Sequence, residues 1–190
     1  MIKPINLTEQ GVQFSLPSNY RRWDVIKYFI NVFKYNKGVE LGVNKGENFF
    51  NLLENNNDLI LYGIDIFEVQ KDNTLENYGG NDFLNSYKND VIQKLKKFKT
   101  RAQILIERTD IAHKHFDDES LDFVFIDADH SYESVKKDIF IWKRKIKENG
   151  LLMGHDMNWG DVSRAVGESF SEVWLCPDNV WIAPKHWLRN

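Results

Sequence analysis

In the stretch FVFIDADHSYE, residues 123–133, four apolar residues stop at Asp127, and Asp129 and His130 follow at once. A second polar pair, His155 and Asp156, ends the apolar run LLMGHD. If the two runs lie side by side, Asp127 and Asp156 offer hard oxygen ligands to one divalent cation. Mg²⁺ suits such a pair, because it takes one or two carboxylates and keeps several waters. An imidazole such as His130 or His155 can accept a proton near neutral pH. As a ligand, His155 fits Mn²⁺, Fe²⁺ or Zn²⁺ better than Mg²⁺. Three readings stand together. The residues Asp127, His155 and Asp156 could form a metal site. The site could instead be metal-free, with His130 or His155 as base, or the polar residues could simply cap strand ends, with Asp129 as a helix N-terminal charge.

A different chemistry is written earlier, in VELGVNKGEN. Glu40 is an acid inside an apolar run, where burial without a partner is costly, so it should accept a hydrogen bond from a ligand or from loop amides. Gly42 and Gly46 let the backbone turn tightly and approach a ligand where a Cβ would collide. Asp65 ends the next apolar run, the place where doubly wound folds set an acid against ribose hydroxyls. A lone Gly-x-x-x-Gly is weak evidence; combined with the two acids it is more specific.

The elements that must position these residues alternate. Helical spacing runs through 20–35 (Trp23, Ile26, Ile30, Phe33), and a strand follows at 38–43, then a helix in ENFFNLLEN. Strands are expected at 59–67, 102–107, 121–127 and 151–156, and amphipathic helices at 85–98, 131–149 and 161–170. In the helix at 131–149, Ser131 is the expected N-cap, Tyr132, Val135, Ile139, Trp142 and Ile146 form the apolar stripe, and Gly150 is the stop. The runs 172–176 and 179–184 flank Pro177-Asp178 and read as an antiparallel pair. Such alternation predicts an α/β fold, a Rossmann-like doubly wound sheet with helices on both faces. Ligands then sit at the carboxyl ends of the strands, where 42–46, 65–67, 107–110, 127–130 and 155–158 converge.

With these motifs in place, the chain resembles the class I S-adenosylmethionine (SAM)-dependent methyltransferases. EL-G-VNK-G followed by GID is similar to their first two motifs. The run FIDADHSYESVKKDIFIWKRKIKENGLLMGHDM resembles the small metal-dependent sugar and macrolide O-methyltransferases. The likeness spans residues 20–184. It implies seven strands in the order 3-2-1-4-5-7-6 with strand 7 antiparallel. It also implies that Glu40, Gly42, Asn44 and Gly46 line the methionine end of SAM and that Asp65 binds ribose. Ile66 and Phe67 would pack against adenine, and Thr109 and Asp110 would contact its edge. Asp127 then lies where the family binds metal, bordering the cofactor, and His130 is the base candidate. Two positions depart from the pattern. Asn44 stands where glycine is common, and His155 replaces one of two adjacent acids.

Composition limits the partners. A net charge of −3 leaves no global electrostatic footprint for nucleic acid. No apolar stretch approaches the length of a membrane span, and MIKPINLTEQGVQFSL has no continuous apolar region. The single cysteine, Cys176, cannot form an internal disulfide, which fits a cytoplasmic protein. One domain over 1–190 is expected, with 1–19 as an N-terminal extension and 68–86 as a lid over the acceptor. The Lys-rich segment 88–101 reads as a solvated helix face and His113 and His115 as solvated loop residues, whereas Trp159 is a candidate wall for substrate or SAM.

The expected activity is SAM-dependent methyl transfer to a hydroxyl of a small molecule, sugar or glycoconjugate, with Mg²⁺ or Mn²⁺ in the metal reading. A homo-oligomer is left open. Two rivals remain: a module that binds SAM or a nucleoside without chemistry, and a nicotinamide-dependent oxidoreductase. The second would want Gly-x-Gly-x-x-Gly, a spacing that VELGVNKGEN lacks.

Overall fold

A computed structural model describes residues 16–68 and 80–187. In chain order the elements are α1 (Arg22–Phe33), β1 (Lys37–Leu41), α2 (Glu47–Asn55), β2 (Ile60–Ile64), α3 (Gly80–Leu95), β3 (Ala102–Leu105), α4 (Thr109–Ala112), β4 (Leu121–Ile126), α5 (Tyr132–Trp142), β5 (Ile146–Gly154), α6 (Gly160–Ser169), β6 (Trp174–Leu175) and β7 (Trp181–Pro184). The strands form one sheet in the order β3-β2-β1-β4-β5-β7-β6. Strands β1 to β5 pair in parallel, and β7 runs antiparallel to both β5 and β6. This is the expected Rossmann-like topology.

Strand β4 is buried at all six positions, which explains the apolar run 123–126: a central parallel strand is covered on both faces. Phe123 and Phe125 pack with Val25, Ile26 and Phe29 of α1 and Phe49 and Leu53 of α2. Val124 and Ile126 turn the other way, onto Val135, Ile139 and Trp142 of α5 and Val162 and Val166 of α6. The strand ends are thereby clamped between two helical layers.

Three expectations differ in extent. The helix expected at 131–149 ends at Trp142, because the sheet takes over its continuation. Ile146, the last member of the apolar stripe, opens β5 opposite Leu121. The carbonyls of Arg144 and Lys145 accept from the amides of Glu119, Ser120 and Leu121 rather than from helix partners. Gly150 is therefore no helix stop; it lies inside β5, where a Cβ would come 2.6 Å from the Asp122 carbonyl oxygen. Helix α3 begins at Gly80, so 80–86 of the expected lid are helical, while 69–79 lie outside the described residues. Of the expected extension 1–19, residues 1–15 also lie outside them. Among the described residues no helix is long and apolar enough to cross a membrane.

Candidate active site

Backbone pairing continues one residue beyond each strand and sets the site residues in a row. The amide of Asp127 donates to Leu41 O at 2.8 Å, that of His155 to Ile126 O at 3.1 Å, and that of Gly42 to Ile64 O at 2.9 Å. Asp65 is held likewise by Leu105 O at 3.2 Å. The carboxyl ends of four parallel strands thus converge on one edge.

At the cofactor end, Gly42 and Gly46 have φ of 85° and 75°, in the left-handed region that favours glycine. Asn44 adopts φ 50° in the same loop, which asparagine tolerates better than most residues. Asp65 ties the loop down. Its Oδ2 accepts from the amides of Val43 and Asn44, both at 2.8 Å, and its Oδ1 from Phe67 N at 2.7 Å. Glu40 is 2 % exposed, and its Oε2 has no hydrogen-bond partner. Burial, and then the Asp127 carboxylate, push its pKa well above the usual glutamate range, against the opposing effects of Asn48 and Arg22. Asn48 is buried too; its side chain faces Glu40, but neither of its polar atoms makes an aligned hydrogen bond.

The expected adenine contacts are less open. Ile66 is half-buried, but Phe67 packs into the core at 2 % exposure, with φ 51°. Asp110 is taken by Arg108 at 3.0 Å and Lys137 at 2.6 Å, which hold its carboxyl below the usual range. Thr109 bonds Asp138, a carboxylic acid buried in α5.

At the reaction end, His130 Nε2 lies 2.8 Å from Asp156 Oδ2 and 3.9 Å from Asp127 Oδ1. The Asp127 and Asp156 carboxylates lift the imidazole pKa to about 9, against partial burial. For Asp156, burial opposes ionisation, but His130 and His155 outweigh it and hold the carboxyl below its ordinary range. His155 lies behind this pair, 8 % exposed, with Nδ1 at 3.0 Å from Asp156 Oδ1 and 3.8 Å from Asp127 Oδ1. Neither nitrogen of His155 makes an aligned hydrogen bond. Asp129 is engaged locally: its Oδ1 accepts from Ser131 N at 2.7 Å, while the Ser131 side chain makes no capping bond. Trp159, half exposed, covers His130 with ring centroids 4.9 Å apart.

Ligand atoms of Asp127, His130 and Asp156 all lie within 4.8 Å of one another, a spacing that fits one cation. The structure therefore brings together Asp127, His130, His155 and Asp156, with His130 rather than His155 in the trio whose ligand atoms lie that close, while His155 is nearly as near to both acids. Three further polar residues line this edge. Arg22, the first residue of α1, sets Nη1 2.5 Å from Asp127 Oδ2, and Asp178 accepts from the Arg22 amide at 2.9 Å. Asn48 is the third. Arg22 and Asp178 carry no local signal, whereas Asn48 does: it is a polar residue on the apolar face of ENFFNLLEN.

The fold and strand order are those of class I methyltransferases. A Staphylococcus aureus protein provisionally described as a caffeoyl-CoA O-methyltransferase superposes with a TM-score of 0.63 at 16% identity, covering 88% of this chain and 84% of that one. A Corynebacterium glutamicum protein gives a TM-score of 0.53 at 13% identity, over 80% and 73% of the two chains. The spermidine synthase of Thermotoga maritima gives 0.51 at 15% identity, over 80% of this chain and 53% of its own. No curated protein sequence matches the chain. The chain belongs to a methyltransferase-domain family, whose model matches residues 39–157 and so takes in both the glycine loop and the reaction-end residues. SAM is the methyl donor expected of that family.

Proposed function

We propose that the protein methylates a hydroxyl of a small molecule, sugar or glycoconjugate, using SAM and a divalent cation held by Asp127 and Asp156. The observation that carries this reading is the packing of the glycine loop onto the reaction-end strand: a Cβ on Gly42 would lie 2.0 Å from the Asp127 carbonyl oxygen. The loop suited to the methyl donor and the acids suited to the acceptor share one wall.

The cofactor end fits SAM by its unmet polar groups. Glu40 Oε2 and the Asn48 amide are buried without aligned hydrogen bonds, and an ammonium group would supply the donor that Glu40 lacks. Gly42, Asn44 and Gly46 would line the methionine moiety. Asp65 uses three acceptor sites on loop amides and, with about four in all, keeps capacity for a ribose hydroxyl. Ile66 and Thr109 would border the adenine; Phe67 and Asp110 would support that wall from behind. SAM supplies a methyl group on a sulfonium, open to in-line attack by oxygen.

At the other end, the cation would lower the pKa of the acceptor hydroxyl. His130 is the residue placed to take up the proton. Beside two anionic carboxylates its imidazole is held near 9, so it accepts a proton at neutral pH only when those charges are otherwise neutralised. Trp159 would orient the acceptor over His130, and His155 would steady Asp156 from behind. Oxygen as the methylated atom agrees with the description of the Staphylococcus aureus neighbour.

One observation favours a cation-free variant: Arg22 already neutralises Asp127. Mass spectrometry of hydroxylated acceptors incubated with SAM, with Mg²⁺ or Mn²⁺ and with EDTA, separates the outcomes. A methylated product that needs the cation is expected. Full turnover in EDTA removes the cation, and SAM binding without product on any acceptor leaves a binding module.

A further inference from the structure

Arg22 stands between two acids. Its Nη1 is 2.5 Å from Asp127 Oδ2, and its Nε is 3.8 Å from Asp178 Oδ2. That Nε is buried and makes no hydrogen bond, so the guanidinium is committed on one arm and unsatisfied on the other. Asp178 is fixed independently of the guanidinium. It lies between β6 and β7 in a left-handed turn with Asn179, φ 58° and 56°, and accepts from the backbone amide of Arg22 at 2.9 Å. Arg21 Nε adds a contact at 3.5 Å.

Asp127 is also one of the two carboxylates assigned above to a cation. Arg22 holds Oδ2 and leaves Oδ1, the oxygen nearer His130 and His155, to a cation, but a guanidinium and a dication on one carboxylate repel at such a distance. The guanidinium is half-buried with its Nε shielded from solvent, so it favours another acid when it leaves Asp127. Asp178 is already within reach.

We propose that Arg22 is a displaceable counter-ion, pairing with Asp127 in the cation-free protein and passing to Asp178 when a divalent cation takes Asp127. The proposal rests on the cation reading of the site. It makes Asp178 a positioning residue that never touches the cation, and it couples the start of α1 and the β6–β7 turn to cation occupancy.

The test is calorimetric titration of the full chain with MnCl₂ alone, without SAM, so that activity plays no part. Arg22→Met should bind Mn²⁺ at least about fivefold more tightly than the wild type. Asp178→Asn should bind it at least about fivefold more weakly, because Arg22 then has nowhere else to go. In the double variant the Asp178 effect should vanish. Were Asp178 only a nearby negative charge attracting the cation, its loss would weaken binding equally in both backgrounds, and that result overturns the proposal. Unchanged or weaker binding by Arg22→Met overturns it as well. Thermal melts in EDTA check that each variant is folded. If Arg22→Met does not fold, Arg22→Gln takes its place: it removes the charge while keeping a polar side chain, and must bind Mn²⁺ more tightly than the wild type. Failure of the wild type and both single variants to bind Mn²⁺ removes the cation reading itself, a pattern distinct from wild-type binding that Arg22 does not influence.

Discussion

The Cβ that Gly42 lacks would lie 2.0 Å from the Asp127 carbonyl oxygen and 2.8 Å from the Cα of Ala128. Backbone atoms cannot rotate away as a side-chain tip can, and the φ of 85° adds a conformational cost. Gly42→Ala should therefore destabilise the protein by about 2–4 kcal/mol and push the glycine loop off β4. Gly167→Ala is the control: it lies in α6 with nothing within 4 Å of an added Cβ, and should be neutral or stabilising by about 0.5–1 kcal/mol. Urea melts of the two variants measure the contrast. Equal effects would mean that the close approach does not matter.

Asp138 links pH to stability. Burial raises its pKa from 3.8 to about 7, against the hydrogen bond from Thr109. Between those values the folded state keeps a proton that the unfolded chain has lost, so stability falls as pH rises from about 4 to about 7 and then levels. Asp138→Asn has no such proton and can still accept from Thr109. Its advantage over the wild type should be small near pH 4, grow through that window and approach at most about 4 kcal/mol above it. Melting temperatures across pH 4–9 test the sign; a difference that does not change with pH would refute the link.

Cys176, the single cysteine, is half-buried against the core, and burial pushes its thiol up to about 12. The thiolate is the reactive form. Iodoacetamide should therefore label the native protein at pH 8 far more slowly than the urea-unfolded chain, by a factor of about a hundred or more. Comparable rates would show that the thiol is accessible.

Most of the fold was legible because its signals are local. Continuous apolar runs such as 123–126 mark central parallel strands, and Pro177-Asp178 marks the closing hairpin. The strand order came from the family resemblance, since periodicity alone does not say which strands are neighbours. Local signals failed where tertiary contacts decide. Ile146 suits helix α5 by spacing, yet pairing with Leu121 draws it into β5. At the site, Asp127, His130, His155 and Asp156 stood out as polar residues ending apolar runs. Arg22 did not, because its partners lie 105 and 156 positions away, and a helix-start arginine carries no mark of such contacts. Phe67, which the family resemblance sets against adenine, is turned into the core at φ 51°, an orientation that no local signal in the sequence announces.

His130 and Trp159 should separate the proton-transfer role from acceptor binding. His130 lies within reach of both acids, and Trp159 covers its ring while remaining half exposed to an incoming acceptor. Under the proposed function, His130→Gln keeps a polar side chain but cannot take up the hydroxyl proton. It should lower kcat by about 10²–10⁴-fold and leave SAM affinity within about twofold. Trp159→Ala removes a stacking surface without touching the proton path, so it should raise the acceptor KM by about tenfold with a smaller change in kcat. Steady-state kinetics with the acceptor found by mass spectrometry, together with calorimetry for SAM, read all four quantities. A His130→Gln variant with wild-type kcat would take proton transfer away from His130. If the Trp159→Ala loss fell wholly on kcat instead, Trp159 would act by holding the His130 ring in place, and its role as an acceptor wall would be withdrawn.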